Sequence, residues 1–156
     1  MNISVKEMTE ERAIVSLQWK YEPPYDFYNV NGDGASLAER LDGTYKALFE
    51  GKTFIGFFCI GEGAKVPAGR SRGVYQDEAV DMGLGMDPAL TGKGKGTPFC
   101  SAVLSYIKKE YPGKPIRLSV ATFNRRAIQL YKNMGFVKKD TFYTEACEFI
   151  TMVKVP

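Results

Sequence analysis

Apolar residues in this chain alternate with polar ones in some stretches and recur every three or four positions in others. Residues 2–7 alternate and predict a first strand. Thr9, followed by Glu10, Glu11 and Arg12, predicts an N-cap and a helix to about Trp19. Lys20-Tyr-Glu-Pro-Pro-Tyr-Asp-Phe-Tyr-Asn29 is a rigid, aromatic loop, and 33–41 predicts a short helix. Residues 44–49, the turn Gly51-Lys52 and residues 53–60 read as strand, turn and strand. The Gly-, Lys- and Arg-rich stretch 62–77 reads as a long hairpin loop whose Arg70 and Arg72 are surface charges, and 79–86 as a strand. Phe99, Val103, Tyr106 and Ile107 share one face of a helix over 97–111, which Pro112-Gly113 stops. Ile116, Leu118 and Val120 alternate as a strand should. Asn124 caps a further helix, Gly135 ends it, and 141–154 supplies the last strands. With no repeat, linker or low-complexity segment, the expectation is one α/β domain over residues 1–156.

Composition narrows the chemistry. The 156 residues are 44% hydrophobic and 25% charged, with a net charge of +3. That balance fits a globular protein and a small anionic ligand better than nucleic acid. The chain has no histidine, so Ser-His-Asp, Cys-His and His-ligated metal sites are excluded. Cys59, Cys100 and Cys147 lie far apart and predict neither a disulfide framework nor a zinc site, which points to a reducing, cytoplasmic compartment. The charged N-terminus carries no long apolar run, so no membrane association is expected.

The main chemical signal is Asp87-Pro-Ala-Leu-Thr91-Gly92-Lys93-Gly94-Lys95-Gly96-Thr97, between a predicted strand and a predicted helix. Glycines allow positive φ and close backbone approach, so several amides can face one phosphate at a helix N-terminus. A nucleotide-hydrolase loop needs Ser or Thr directly after Gly-Lys, and here Gly96 follows. A dinucleotide fingerprint needs a third glycine where Thr97 stands. In the preceding strand, Asp81, Gly83 and Gly85 share a face, leaving a bare surface with a carboxylate at its end.

The second signal is Asn124-Arg-Arg-Ala-Ile-Gln-Leu-Tyr131-Lys-Asn-Met-Gly-Phe136. At about 100° per residue, Asn124 and Tyr131 return to nearly the same helix face. Together the two blocks resemble the GNAT superfamily of acyl-CoA N-acyltransferases. The glycine loop from Met86 to Gly96 is similar to the family's pyrophosphate loop. Asn124 to Phe136 is similar to its Asn-x-x-Ala-x-x-x-Tyr-x-x-x-Gly-Phe segment.

The resemblance implies a mixed, mostly antiparallel twisted sheet flanked by helices, splayed between the strands near 79–86 and 115–121. It implies acetyl-CoA as co-substrate, no metal, and transfer of the acetyl group to an amine by direct attack. The backbone around Gly92, Gly94 and Gly96, with Thr91, Lys93, Lys95 and Thr97, would hold the CoA pyrophosphate. Leu84 and Met86 would pair with the pantetheine amides, Asn124 would bond the same arm, and Tyr131 would protonate the leaving thiolate. Asp81 would deprotonate the amine directly or through water. Pro98 and Thr91 depart from the family's usual phosphate contacts, and an aspartate at 81 is shorter than the more common glutamate.

Plainer readings stand beside these. Asp81 could be a solvated strand carboxylate, Tyr131 a core tyrosine and Asn124 only a helix cap. Cys100, with no histidine to activate it, reads as packing. By resemblance, the aromatic loop with Trp19, Tyr21, Tyr25, Phe27 and Tyr28 walls the acceptor pocket; otherwise it packs onto the core. Partners would be a small-molecule or peptide amine, with no nucleic acid and no membrane, in a monomer or homodimer. A non-catalytic acyl-CoA-binding module is the alternative.

Overall fold

The computed structural model describes residues 2–30 and 32–156. Seven strands form one mixed sheet: β1 (Ile3–Glu7), β2 (Tyr45–Glu50), β3 (Thr53–Ile60), β4 (Val80–Met86), β5 (Ile116–Ala121), β6 (Val137–Tyr143) and β7 (Glu148–Lys154). Their order across it is β1-β2-β3-β4-β5-β7-β6. The helices are α1 (Glu10–Leu17), α2 (Gly34–Arg40), α3 (Pro67–Ser71), α4 (Gly96–Glu110) and α5 (Arg125–Asn133). The chain divides into two compact units, Met1–Cys59 with Leu84–Val103, and Ile60–Gly83 with Leu104–Pro156.

In the first unit, β1 pairs antiparallel with β2 and β2 with β3. The Thr9 hydroxyl accepts from the Arg12 amide at 3.2 Å and starts α1, as the sequence predicts. An Asp33 carboxylate oxygen does the same for α2 through the Ser36 amide at 2.9 Å. Ala13, Leu17, Ala47, Leu48, Ile55, Phe58 and Phe99 are buried in this unit. Two glycines let strand and helix approach closely. A Cβ on Gly56 would lie 2.5 Å from both the Gly85 carbonyl oxygen and the Phe99 ring, and one on Gly85 would strike the Phe57 ring. The bare face of β4 at Gly85 is therefore filled by Phe57.

In the second unit, β5 pairs antiparallel with β7 and β7 with β6, while β4 pairs in parallel with β5 over Val80–Met82 and Ile116–Leu118. That short parallel register agrees with the expected splay near these strands. β6 begins at Val137, four residues before the predicted position. Its strand is mostly exposed and polar, so no apolar alternation announces it. Where its register with β7 shifts, between Lys138 and Thr141, the fully buried Thr151 hydroxyl accepts from the Asp140 amide at 3.0 Å and satisfies that donor.

The stretch predicted as a long hairpin loop instead holds a 3-10 turn (Gly61–Ala64) and α3. Pro67 at the first turn of α3 suits helix initiation. Behind it, Val74 joins Ala121, Phe142 and Phe149 in a buried cluster, with Val66, Ala68 and Tyr75 packed against it. Non-local burial thus orders a segment whose composition reads as loop. Arg70 pairs with Glu62 at the surface, as expected of it. No helix among the described residues is long and apolar enough to cross a membrane.

Candidate active site

The glycine loop follows the end of β4 in the first unit. The Asp87 amide donates to the Ile55 carbonyl at 2.9 Å, and an Asp87 carboxylate oxygen accepts from the Ala89 amide at 2.9 Å, capping a 3-10 turn at Pro88–Leu90. The Thr91 hydroxyl is spent on that turn, donating to the Pro88 carbonyl at 2.8 Å. Gly92 and Gly94 both adopt φ of +73°, the left-handed region open to glycine. A Cβ on Gly94 would meet nothing within 4 Å, so backbone conformation, not space, calls for glycine there. α4 begins directly at Gly96. Among the described residues, the amides of Gly92 to Thr97 donate to no protein acceptor. Unspent amides at the positive end of a 15-residue helix suit an anion. The Lys95 ammonium lies 3.4 Å from Glu50 Oε1, which offsets part of its charge, and Lys93 is exposed. These residues fit a pyrophosphate-bearing donor.

The aromatic segment divides by role. Trp19, half-buried, stacks on Phe54 at 5.2 Å and faces Phe57 at 6.1 Å. Tyr25–Tyr28 forms a 3-10 turn, in which Phe27 meets Tyr28 edge-on at 5.3 Å. Tyr21 is different. Its hydroxyl donates to the Met86 carbonyl at 2.7 Å, and its amide donates to Asn29 Oδ1 at 2.7 Å. Burial pushes its phenol up to about 12, with Arg40 opposing and Asp87 adding to the shift. Tyr21 thus fastens the aromatic segment to the last residue of β4. Arg40, at the end of α2, was not singled out from sequence. Its guanidinium carbon stands 4.0 Å from the centre of the Phe57 ring and 5.3 Å from that of Tyr45.

In the second unit, Asp81 is 3% exposed and Arg117 2%. Arg117 Nε donates to Asp81 Oδ1 at 2.7 Å and Nη2 to Oδ2 at 2.8 Å. The same guanidinium donates to the Asp77 carbonyl at 3.0 Å and lies over the Tyr75 ring at 5.1 Å. Hydrogen bonding to Asp81 holds Arg117 above its ordinary value. Lys65 Nζ is a further cation 4.0 Å from Asp81 Oδ2. The Tyr75 hydroxyl continues this network to Ser119 Oγ at 2.6 Å and accepts from the Val66 amide at 2.9 Å. The carboxylate at position 81 is therefore neither solvated nor unengaged. Arg117 escaped sequence reading because it occupies a polar slot in an alternating strand. Only the parallel register of β4 and β5 sets it opposite Asp81, and no local signal announces that.

Asn124 caps α5, its Oδ1 accepting from the Ala127 amide at 3.1 Å. Tyr131, partly buried, meets the Phe136 ring at 5.8 Å. Cys100 is fully buried in α4, in keeping with a packing role.

Strand, glycine loop and long helix together form a cradle suited to a pyrophosphate-bearing ligand. A model of the acetyltransferase (GNAT) family matches residues 7–136, and the chain belongs to that family. As a member of that family it is an acetyl-CoA-dependent N-acetyltransferase. Similar solved structures include a spermidine N-acetyltransferase chimera of SpeG from Vibrio cholerae and hSSAT, at 17% identity and TM-score 0.68, covering 99% of this chain and 96% of that one. The aminoglycoside acetyltransferase AAC(6')-Ib with coenzyme A is similar at 17% identity and TM-score 0.71, covering 99% and 95%. The same protein with paromomycin and acetyl-CoA gives 18% and 0.71, covering 99% and 94%. At these identities the likeness concerns the fold. No curated protein matches the chain.

Proposed function

We propose that this protein acetylates a small-molecule amine in the cytoplasm, as one domain over residues 1–156, with neither nucleic acid nor membrane as partner. The observation that carries the donor half is the run of unspent amides from Gly92 to Thr97 at the head of α4. Bound there, acetyl-CoA supplies an activated thioester. The amides of Gly92, Gly94 and Gly96, with Lys93, Lys95 and Thr97, hold its pyrophosphate. Thr91 shapes the turn. The backbone of Leu84 and Met86 pairs with the pantetheine amides, and Asn124 bonds the same arm while capping α5. Tyr131 returns a proton to the departing sulfur.

Asp81 takes a different role from the base that the resemblance implies. Both its oxygens are bonded to a buried guanidinium, which leaves it poorly placed to accept a proton from an alkylammonium. We assign it the positioning of Arg117, Tyr75 and Ser119, and assign removal of the amine proton to water. Of the aromatic residues, Tyr21, Tyr25 and Tyr28 wall the acceptor side, and Trp19, stacked on Phe54 and Phe57, supports them.

Thermal unfolding with acetyl-CoA, CoA, ATP and NAD in parallel tests the donor assignment. A ligand at 100 times its dissociation constant adds about 2.7 kcal/mol, which raises the midpoint by several degrees. Only the two CoA species should do so. A rise with ATP or NAD alone refutes the cradle's assignment.

A further inference from the structure

Two arginines are drawn in from the surface, Arg117 fully buried and Arg40 half-buried, and their surroundings differ. Arg117 is charge-paired, with a bidentate carboxylate and a backbone carbonyl. Arg40 is not. It makes one hydrogen bond, from Nη1 to the buried Ser16 hydroxyl at 3.2 Å, and that hydroxyl in turn donates to the Ala13 carbonyl. Among the described residues no carboxylate lies within 4.0 Å of it. The nearby Glu39 instead accepts from the Tyr45 hydroxyl at 3.1 Å. A guanidinium has five N–H donors, and a cation held against aromatic faces with one neutral acceptor is under-compensated. Burial accordingly lowers the basicity of Arg40. Its place in the fold gives this meaning. It packs on Phe57, the ring that fills the bare face of β4 at Gly85.

We propose that the acceptor is an amine that also carries a carboxylate, and that Arg40 binds that carboxylate in its planar fork, with Phe57 and Tyr45 fixing the guanidinium plane. The proposal rests on reading the aromatic segment as the acceptor wall. A fork of parallel N–H groups matches a carboxylate better than any single neutral acceptor does. The same cation, with no carboxylate in contact, disfavours polycationic acceptors.

The test measures acetylation of L-phenylalanine, L-methionine and glycylglycine against their C-terminal amides, with spermidine, kanamycin and phosphoethanolamine alongside. Thiol release gives kcat/KM, and calorimetry gives binding of each compound to the protein–CoA complex. The amide's amine is less basic than that of the free acid, so without carboxylate recognition the amide reacts faster. The free acids should instead be preferred roughly 10- to 100-fold, as a charge-assisted pair in a partly dry site predicts. Arg40→Gln should erase that preference while acetyl-CoA still raises the unfolding midpoint, and Arg40→Lys should keep part of it. The proposal is overturned if the amides, polycations or phosphoethanolamine match the acids. It is equally overturned if Arg40→Gln keeps the preference, or if none of the acids binds. If acetyl-CoA itself does not bind, the donor assignment fails separately, and titrating the acids and amides into the free protein still decides for or against Arg40.

Discussion

Asp81→Asn separates a catalytic carboxylate from a positioning one. In the wild type, two charge-assisted hydrogen bonds of 2.7 and 2.8 Å join it to Arg117, and both groups are almost fully buried. Asparagine keeps one acceptor but turns an NH₂ group toward the second guanidinium donor and removes the countercharge. Breaking a buried pair from one side costs about 3–5 kcal/mol. For a domain of this size that lowers the unfolding midpoint by roughly 6–20 °C. Arg117 is held above its ordinary value and stays protonated whether folded or unfolded until strongly alkaline pH, so its contribution persists at neutral pH and is lost only as pH rises through the raised value. Urea unfolding of the wild type, Asp81→Asn, Arg117→Met and the double variant forms a cycle. The double variant should regain much of the loss, with coupling above about 1 kcal/mol. A loss below about 1 kcal/mol in Asp81→Asn with abolished turnover would refute this reasoning and restore Asp81 as a base.

Three further outcomes are expected. Gly56→Ala places a Cβ 2.5 Å from the Gly85 carbonyl, a backbone atom with little room to yield, and should cost about 1–3 kcal/mol in urea unfolding with the slope unchanged. Asn124→Ala removes the α5 cap for about 1 kcal/mol; if it also contacts pantetheine, the midpoint rise given by acetyl-CoA should shrink, and an undiminished rise would leave Asn124 a cap alone. Tyr21 should ionise at about 12, so Tyr21→Phe should remove a tyrosine from the late phase of an ultraviolet pH titration. Because the folded value is raised, the stability it contributes is complete below about pH 10 and is lost as pH climbs toward about 12.

Local pattern was enough for the elements that announce themselves within a few residues. The α4 helix observed at Gly96–Glu110 lies one residue from its predicted bounds, because an apolar face and a terminal Pro-Gly are written into consecutive turns. The caps at Thr9 and Asn124 were readable for the same reason, since each satisfies backbone groups of its own segment, and the positive-φ glycines of the cradle because only glycine adopts that backbone freely. What tertiary structure decided is who meets whom. Arg117 and Asp81 look like solvent-facing strand positions until β4 and β5 come into parallel register and bury them together. The segment around Pro67 reads as loop until Val74 and Tyr75 find a core to pack on. Tyr21 is one aromatic residue among five until its hydroxyl reaches Met86. Arg40 is an ordinary helix-end cation until packing carries it over Phe57 and Tyr45 without an acid. Backbone conformation is set by neighbours in the chain, whereas desolvation and charge pairing depend on residues far away in it.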